Sequence, residues 1–143
     1  VPLDAFFVST YKTIRESDEL VTAIEIPALR PGEGTGYCRL SRRKAQDIGK
    51  ILIGCRVRLD GERIAEVSLS LGALNPTVVH AAELEGFLVG KTPEEALALA
   101  AVTYPAEAKL RESYYKTYKQ DAVCPAVVRA LSMALADAKG ERA

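Results

Sequence analysis

The sequence predicts an α+β fold in which an antiparallel sheet of three or four strands packs on a layer of about three helices. Three observations carry this. Residues 51–59 and 66–71 alternate apolar and polar positions with period two on either side of an Asp60-Gly61 turn. Every segment with helical spacing lies downstream of the strands. Strands first and helices afterwards favours a two-layer sandwich over alternating βαβ units.

Taken in order, residues 21–27 place Val21, Ala23, Ile24 and Ile26 in a short strand-like run that Pro27 ends, as a proline does at the tip of an edge strand. Residues 28–36 carry Pro31, Gly32, Gly34 and Gly36 without periodicity and read as a loop. The glycine string lacks the spacing of a phosphate-cradling motif and leads into a strand, so it counts as loop flexibility. Residues 37–43 read as a strand with Tyr37, Arg39, Ser41 and Arg43 on one face and Cys38 and Leu40 on the other. In the hairpin, Ile51, Ile53, Cys55, Val57 and Leu59 share the buried side of the first arm, and Val67, Leu69 and Leu71 that of the second. Gly61 tolerates the positive φ of a tight turn between them.

The helices follow. Residues 81–89 put Leu84, Phe87 and Leu88 on one stripe, with Gly90 just past the end. Thr92-Pro93-Glu94-Glu95 is a full start signal, because Thr92 caps the backbone, Pro93 suits the first helical position and Glu95 closes a capping box. That helix runs to about Tyr104, where Pro105 breaks it. A last helix is predicted over residues 121–138, with Val127, Val128, Leu131, Ala134 and Leu135 on its apolar stripe and Pro125 in its first turn. No repeat, low-complexity stretch or boundary divides the chain, so residues 1–143 are predicted to form a single domain.

Composition narrows the function classes. At 143 residues, 48% hydrophobic and 27% charged, the chain can bury a sizeable core without disulfide or metal staples. Nineteen basic residues balance nineteen acidic ones, which removes the diffuse attraction to nucleic acid, and no nucleic-acid partner is predicted. No apolar run approaches the ~20 residues that span a bilayer, so no membrane span is predicted. Val1-Pro2-Leu3 opens without Met or a signal segment and reads as internal sequence, so a cytoplasmic fragment of a longer chain is expected. Cys38, Cys55 and Cys124 are odd in number and widely separated, whereas zinc sites and iron–sulfur clusters take about four ligands. They read as reduced thiols filling a core. His80 is the only histidine and reads as a surface or packing residue. Without a paired base, nucleophile or metal set, the domain alone is predicted to have no catalytic residue and no metal site.

One segment stands out. Residues 36–50 gather Arg39, Arg42, Arg43, Lys44 and Lys50 around a single Asp47. Arginine forks hold phosphates or carboxylates in fixed geometry. Two readings stay open on the residues themselves: a cofactor or interface element, or a basic strand-to-strand turn with no ligand. As a strand, the segment would project Arg39, Ser41 and Arg43 together, with Asp47 just beyond to orient an arginine.

Several stretches carry a resemblance: Val1-Pro2-Leu3-Asp4-Ala5-Phe6-Phe7, Ser17-Asp18-Glu19-Leu20-Val21-Thr22-Ala23-Ile24-Glu25-Ile26-Pro27, and Tyr37-x-Arg39-Leu40-Ser41-Arg42-Arg43-Lys44-Ala45-x-Asp47-Ile48. Gly72-Ala73-Leu74-Asn75-Pro76-Thr77, Glu83-Leu84-Glu85-Gly86-Phe87-Leu88-Val89-Gly90-Lys91 and Arg129-Ala130-Leu131 continue it. In this order they resemble the C-terminal domain of the FAD-binding medium subunit of the molybdenum hydroxylases, the family of xanthine dehydrogenase and aerobic carbon monoxide dehydrogenase. The resemblance implies an antiparallel sheet on a three-helix layer, covering one side of a flavin region. It implies that FAD lies mainly on a preceding domain of the same subunit, with the molybdenum cofactor and iron–sulfur clusters on partner chains. Arg39, Ser41, Arg43 and Asp47 are then the cofactor-binding candidates. Arg39 stands where family members often have lysine, and residues 113–118 depart from the Tyr-Arg start common to the last helix. The alternative is a non-catalytic assembly domain whose basic segment docks a partner protein.

Overall fold

The computed structural model describes residues 1–43, 45–110, 112 and 115–141. In chain order the elements are one helical turn, α1 (Leu3–Phe6), then β1 (Phe7–Ser9), β2 (Lys12–Thr13), β3 (Glu33–Leu40), β4 (Ile51–Asp60), β5 (Arg63–Gly72) and β6 (Val79–His80). Three helices follow: α2 (Ala82–Leu88), α3 (Pro93–Val102) and α4 (Lys116–Ala138). The main sheet is antiparallel with order β3-β4-β5-β6, and β1 and β2 form a small separate ribbon. This is the predicted α+β architecture.

The β4–β5 hairpin organises the core. Asp60 pairs with Arg63 across a two-residue loop that starts at Gly61, whose φ of 59° is the left-handed conformation the turn requires. Ile51, Ile53, Cys55 and Val57 of β4 and Leu69 and Leu71 of β5 face the helices and are buried. Each large aliphatic side chain covered this way contributes about 1.5–3 kcal/mol. Helix α4 lies across β3 and β4, α3 packs on α4, and α2 leans on β5. The Thr92 capping box forms as predicted: Thr92 Oγ1 accepts from the Glu95 N–H, and the Glu95 carboxylate accepts from the Thr92 N–H at 2.9 Å.

The seam between β3 and α4 depends on residues with almost no side chain. Ala126, Ala130 and Ala134, spaced by four, form a buried stripe on α4. Across from it lie Gly34 and Gly36. A methyl group on Gly36 would collide with the Ala130 carbonyl oxygen, and one on Gly34 with the backbone of Ala134 and Ala138. Helix backbone therefore rests directly on strand backbone. The outward-facing Thr35 N–H, on the free edge of β3, donates to the Asp137 carboxylate at 2.7 Å, so α4 also closes part of that edge.

Several expectations need correction. Residues 21–27 form no strand: they are exposed, and among the described residues their backbone groups pair with nothing, whereas a strand exists only where a neighbour takes them. The fourth strand of the sheet is β6 instead. The strand predicted over residues 37–43 begins earlier and ends sooner, at Glu33 and Leu40, so Gly34 and Gly36 are strand and not loop, while Gly32 stays in the turn ahead of it. Glycine there serves the close approach of α4. Phe87 is 47% exposed, leaving Leu84 and Leu88 as the buried stripe of α2. Helix α3 ends at Val102. Helix α4 starts five residues before the predicted position, which puts Pro125 in its interior. The helix tolerates it because Pro125 and Asp121 both lie on the exposed side, where water can serve the carbonyl that the missing N–H leaves free.

Candidate functional site

The basic segment closes the β3–β4 connection as a self-bonded loop. Leu40 pairs with Ile51, and the Lys50 N–H donates to the Leu40 carbonyl at 2.7 Å, so the excursion starts and ends at one point of the sheet. Inside it, one oxygen of the Asp47 carboxylate accepts from the backbone N–H groups of Arg42 (2.8 Å) and Arg43 (3.2 Å). The Ser41 hydroxyl donates to the Arg43 carbonyl at 2.7 Å. The Arg39 guanidinium donates to the Asp47 carbonyl, and that of Arg43 to the Gln46 carbonyl at 2.9 Å. Gln46 turns the chain with a φ of 52°. Burial would raise the Asp47 carboxyl, but the N–H bonds from Arg42 and Arg43 and the charge of Arg42 outweigh it and hold it below its ordinary value.

Arg39, Ser41, Arg43 and Asp47 are thus brought together, though not as predicted. Only Arg39 is on the strand, while Ser41 and Arg43 belong to the turn. The Asp47 carboxylate grips loop backbone instead of orienting an arginine, and its own carbonyl orients Arg39. The result is an internally hydrogen-bonded platform carrying the exposed cations Arg39, Arg42 and Arg43. Lys44 lies outside the described residues.

Sequence reasoning missed the wall beside this platform. Ser41, Arg42, Lys50, Tyr115 and Tyr118 line an open cleft of about 250 Å³, with Lys50 Nζ 4.5 Å over the Tyr115 ring in a cation–π contact. Lys50 belongs to the basic segment by sequence. Tyr115 and Tyr118 reach it only because α4 begins there, which no local pattern signals. Ser113 and Tyr114, in the departing stretch, lie outside the described residues.

A second charged cluster occupies the sheet face away from the helices. Glu33, its side chain 3% exposed, takes Arg30 and Arg56 at 2.6 Å each, and Glu66 takes Arg58 at 2.9 Å. The Arg30 bonds hold the Glu33 carboxyl down at about 2 against a smaller opposing effect of burial. His80 is exposed, with Nδ1 3.4 Å from both Ser68 Oγ and Glu85 Oε1, in keeping with a surface role. Cys38 and Cys55 are buried, and burial, with Glu85 adding to it, pushes the Cys55 thiol up to about 12. Cys124 is half-buried beside the Thr103 carbonyl. Among the described residues no three His, Cys, Asp or Glu side chains converge on one point, and no helix is long and apolar enough to cross a membrane.

These features define a two-layer α+β domain whose charged site is a self-bonded cationic loop at one corner of the sheet. The chain belongs to the CO dehydrogenase flavoprotein C-terminal domain family, whose model matches residues 36–134. It is 34% identical over 125 residues to the carbon monoxide dehydrogenase medium chain of Hydrogenophaga pseudoflava, covering 82% of this chain and 42% of that one. It is 31% identical over 96 residues to the xanthine dehydrogenase/oxidase of Gallus gallus, covering 66% of this chain and 7% of the other. A solved carbon monoxide dehydrogenase from Hydrogenophaga pseudoflava, lacking the Mo-pyranopterin moiety of its cofactor, superposes with a TM-score of 0.79 at 28% identity, over 94% of this chain and 47% of that one. Quinoline 2-oxidoreductase from Pseudomonas putida 86 shares the fold, with a TM-score of 0.71 at 22% identity over 96% of this chain and 47% of that one. The chain spans less than half the length of each of these relatives.

Proposed function

We propose that this domain frames one side of the flavin site in the FAD-binding subunit of a cytoplasmic molybdenum-hydroxylase-type oxidoreductase. Its partners in that reading are the FAD domain of the same subunit and the molybdenum-binding and iron–sulfur subunits. FAD, when bound, supplies the redox chemistry that passes electrons from iron–sulfur clusters to an acceptor. The observation that carries the reading is the Asp47-closed loop in a member of a flavoprotein family: it holds Arg39 and Arg43 by their own loop carbonyls, and among the described residues no carboxylate forms an ion pair with either.

The residues present fit an edge of the cofactor and not the whole of it. The adjoining cleft of about 250 Å³ is open, and Gly34 and Gly36 are covered by the backbone of α4. What the chain's own residues do is place cations. Asp47 and Ser41 fix the loop backbone, and that backbone aims Arg39 and Arg43. Fixed positive charge beside a flavin favours the reduced, anionic state.

The test is made in the complete flavin subunit. Arg39→Ala and Arg43→Ala are expected to move the flavin reduction potential to more negative values or to weaken FAD retention, and Asp47→Asn to do the same by loosening the loop. Unchanged flavin content and potential in all three would overturn the reading in favour of an assembly domain whose basic loop docks a protein.

A further inference from the structure

The cationic loop is bonded to itself. Among the described residues, the hydrogen bonds of residues 41–49 stay within residues 39–50: Asp47 takes the N–H groups of Arg42 and Arg43, Ser41 donates to the Arg43 carbonyl, and Arg39 and Arg43 donate to the carbonyls of Asp47 and Gln46. Arg42, Arg43, Ala45, Gln46 and Ile48 are exposed, so burial does not hold the loop either. Bonds of this kind fix the shape of a loop and not its orientation to the sheet. A segment closed on itself can swing as one body about its two ends, here Leu40 and Ile51.

The last residue of the loop reaches the rest of the fold. The Lys50 N–H closes the loop on the Leu40 carbonyl at 2.7 Å, and its ammonium stands 4.5 Å over the Tyr115 ring, where a cation is drawn to the negative face. Tyr115 is itself well placed to hold it. Its carbonyl accepts from the Lys119 N–H at 2.9 Å, and Lys119 Nζ donates to the Ala73 carbonyl at 2.5 Å, which ties the first turn of α4 to the end of β5. Ser41 and Arg42 share one cleft with Tyr115 and Tyr118, so the ring lies directly beside the loop. We propose that Tyr115 is a positioning residue for the cationic loop: its ring, under the Lys50 ammonium, fixes the loop as one body against the start of α4 and so sets where Arg39 and Arg43 stand. The clamp stands on this geometry, and its effect on a flavin rests on the functional reading above.

Amide nitrogen relaxation in the complete flavin subunit tests it. The amides of Arg42, Arg43, Gln46 and Ile48 should have order parameters of about 0.8 or more in the unmutated subunit and in Tyr115→Phe, whose ring keeps its negative face. In Tyr115→Leu the same amides should gain motion, seen as order parameters below about 0.6 or as microsecond-to-millisecond exchange. Leu and Phe variants that behave alike overturn the proposal: if both match the unmutated subunit the loop needs no clamp, and if both are loosened the phenol hydroxyl holds it and not the ring. Should Tyr115→Leu fail to fold, Lys50→Met carries the same expectation, because it keeps an apolar stem and removes the cation. Neither exchange at Tyr115 alters a charged group, so a shift in flavin potential on the same samples reports a displaced loop and not a lost cation. The potential should become more negative in Tyr115→Leu and stay in place in Tyr115→Phe. A loosened loop with an unchanged potential keeps the clamp and discards the flavin role.

Discussion

Glu33 sits between Arg30 and Arg56, and its carboxyl is held at about 2 against an ordinary value of 4.5. Folding therefore favours the ionised form. The stabilisation is complete above about pH 4.5, is lost as pH falls through that interval, and is gone once pH passes below about 2. The melting temperature of the unmutated chain should fall more steeply between those limits than that of Glu33→Gln. Equal slopes would mean that the arginines hold the carboxylate no better than water does. Arg30 and Arg56 are about half exposed, so added salt should shrink the difference. None of this was legible locally, because Glu33 fell in a stretch that reads as loop, and Arg56 and Glu66 become its neighbours only through strand register. Asp47 was legible as the lone acid among cations, but its role as a clamp on backbone N–H groups was not. Side-chain type shows what a residue can bond, and only the path of the loop shows what it does bond.

Among the elements, the β3–α4 seam makes the sharpest demand on sequence. Gly36→Ala forces strand and helix backbones apart, and overpacking of this kind costs roughly 1–3 kcal/mol, more where the neighbour is backbone and cannot turn aside. Gly86 gives the opposite case: it lies inside α2 with open space where a methyl would go. Gly86→Ala should stabilise by about 0.5–1 kcal/mol through helix propensity and a less free unfolded chain. Thermal melts of the two variants should move in opposite directions. If Gly36→Ala melts with the unmutated chain, the seam is looser than its geometry indicates. The capping box of α3 and the hairpin turn were readable because each is a local motif with a fixed offset. The start of α4 was not, since Pro125 imitates a first-turn proline and only the exposed side it occupies reveals that the helix runs through it.

For the whole molecule, the buried cluster joins the sheet to α2, α3 and α4, so the domain has a core of its own. Gly34 and Gly36 are pressed against α4, and the cationic loop is a surface platform. The 143-residue chain is therefore expected to fold cooperatively on its own and to show no tight saturable binding of FAD in a calorimetric titration. Micromolar or better affinity would mean that the main flavin site lies here after all.

The two-layer class, the hairpin with its turn, the capped helix and the family were in the sequence, because period, turn chemistry and short motifs are properties of neighbours along the chain. Which extended segments became strands was decided by tertiary structure. Residues 21–27 have strand composition and no backbone partner among the described residues, whereas residues 33–36 have the composition of a loop and gain β4 on one side and α4 above. The cationic site followed the same division. Its four residues could be picked from their types, but the loop that locks them depends on the path of its own backbone, and the wall of Lys50, Tyr115 and Tyr118 beside it exists only once α4 has been laid across the sheet, where distant parts of the chain meet.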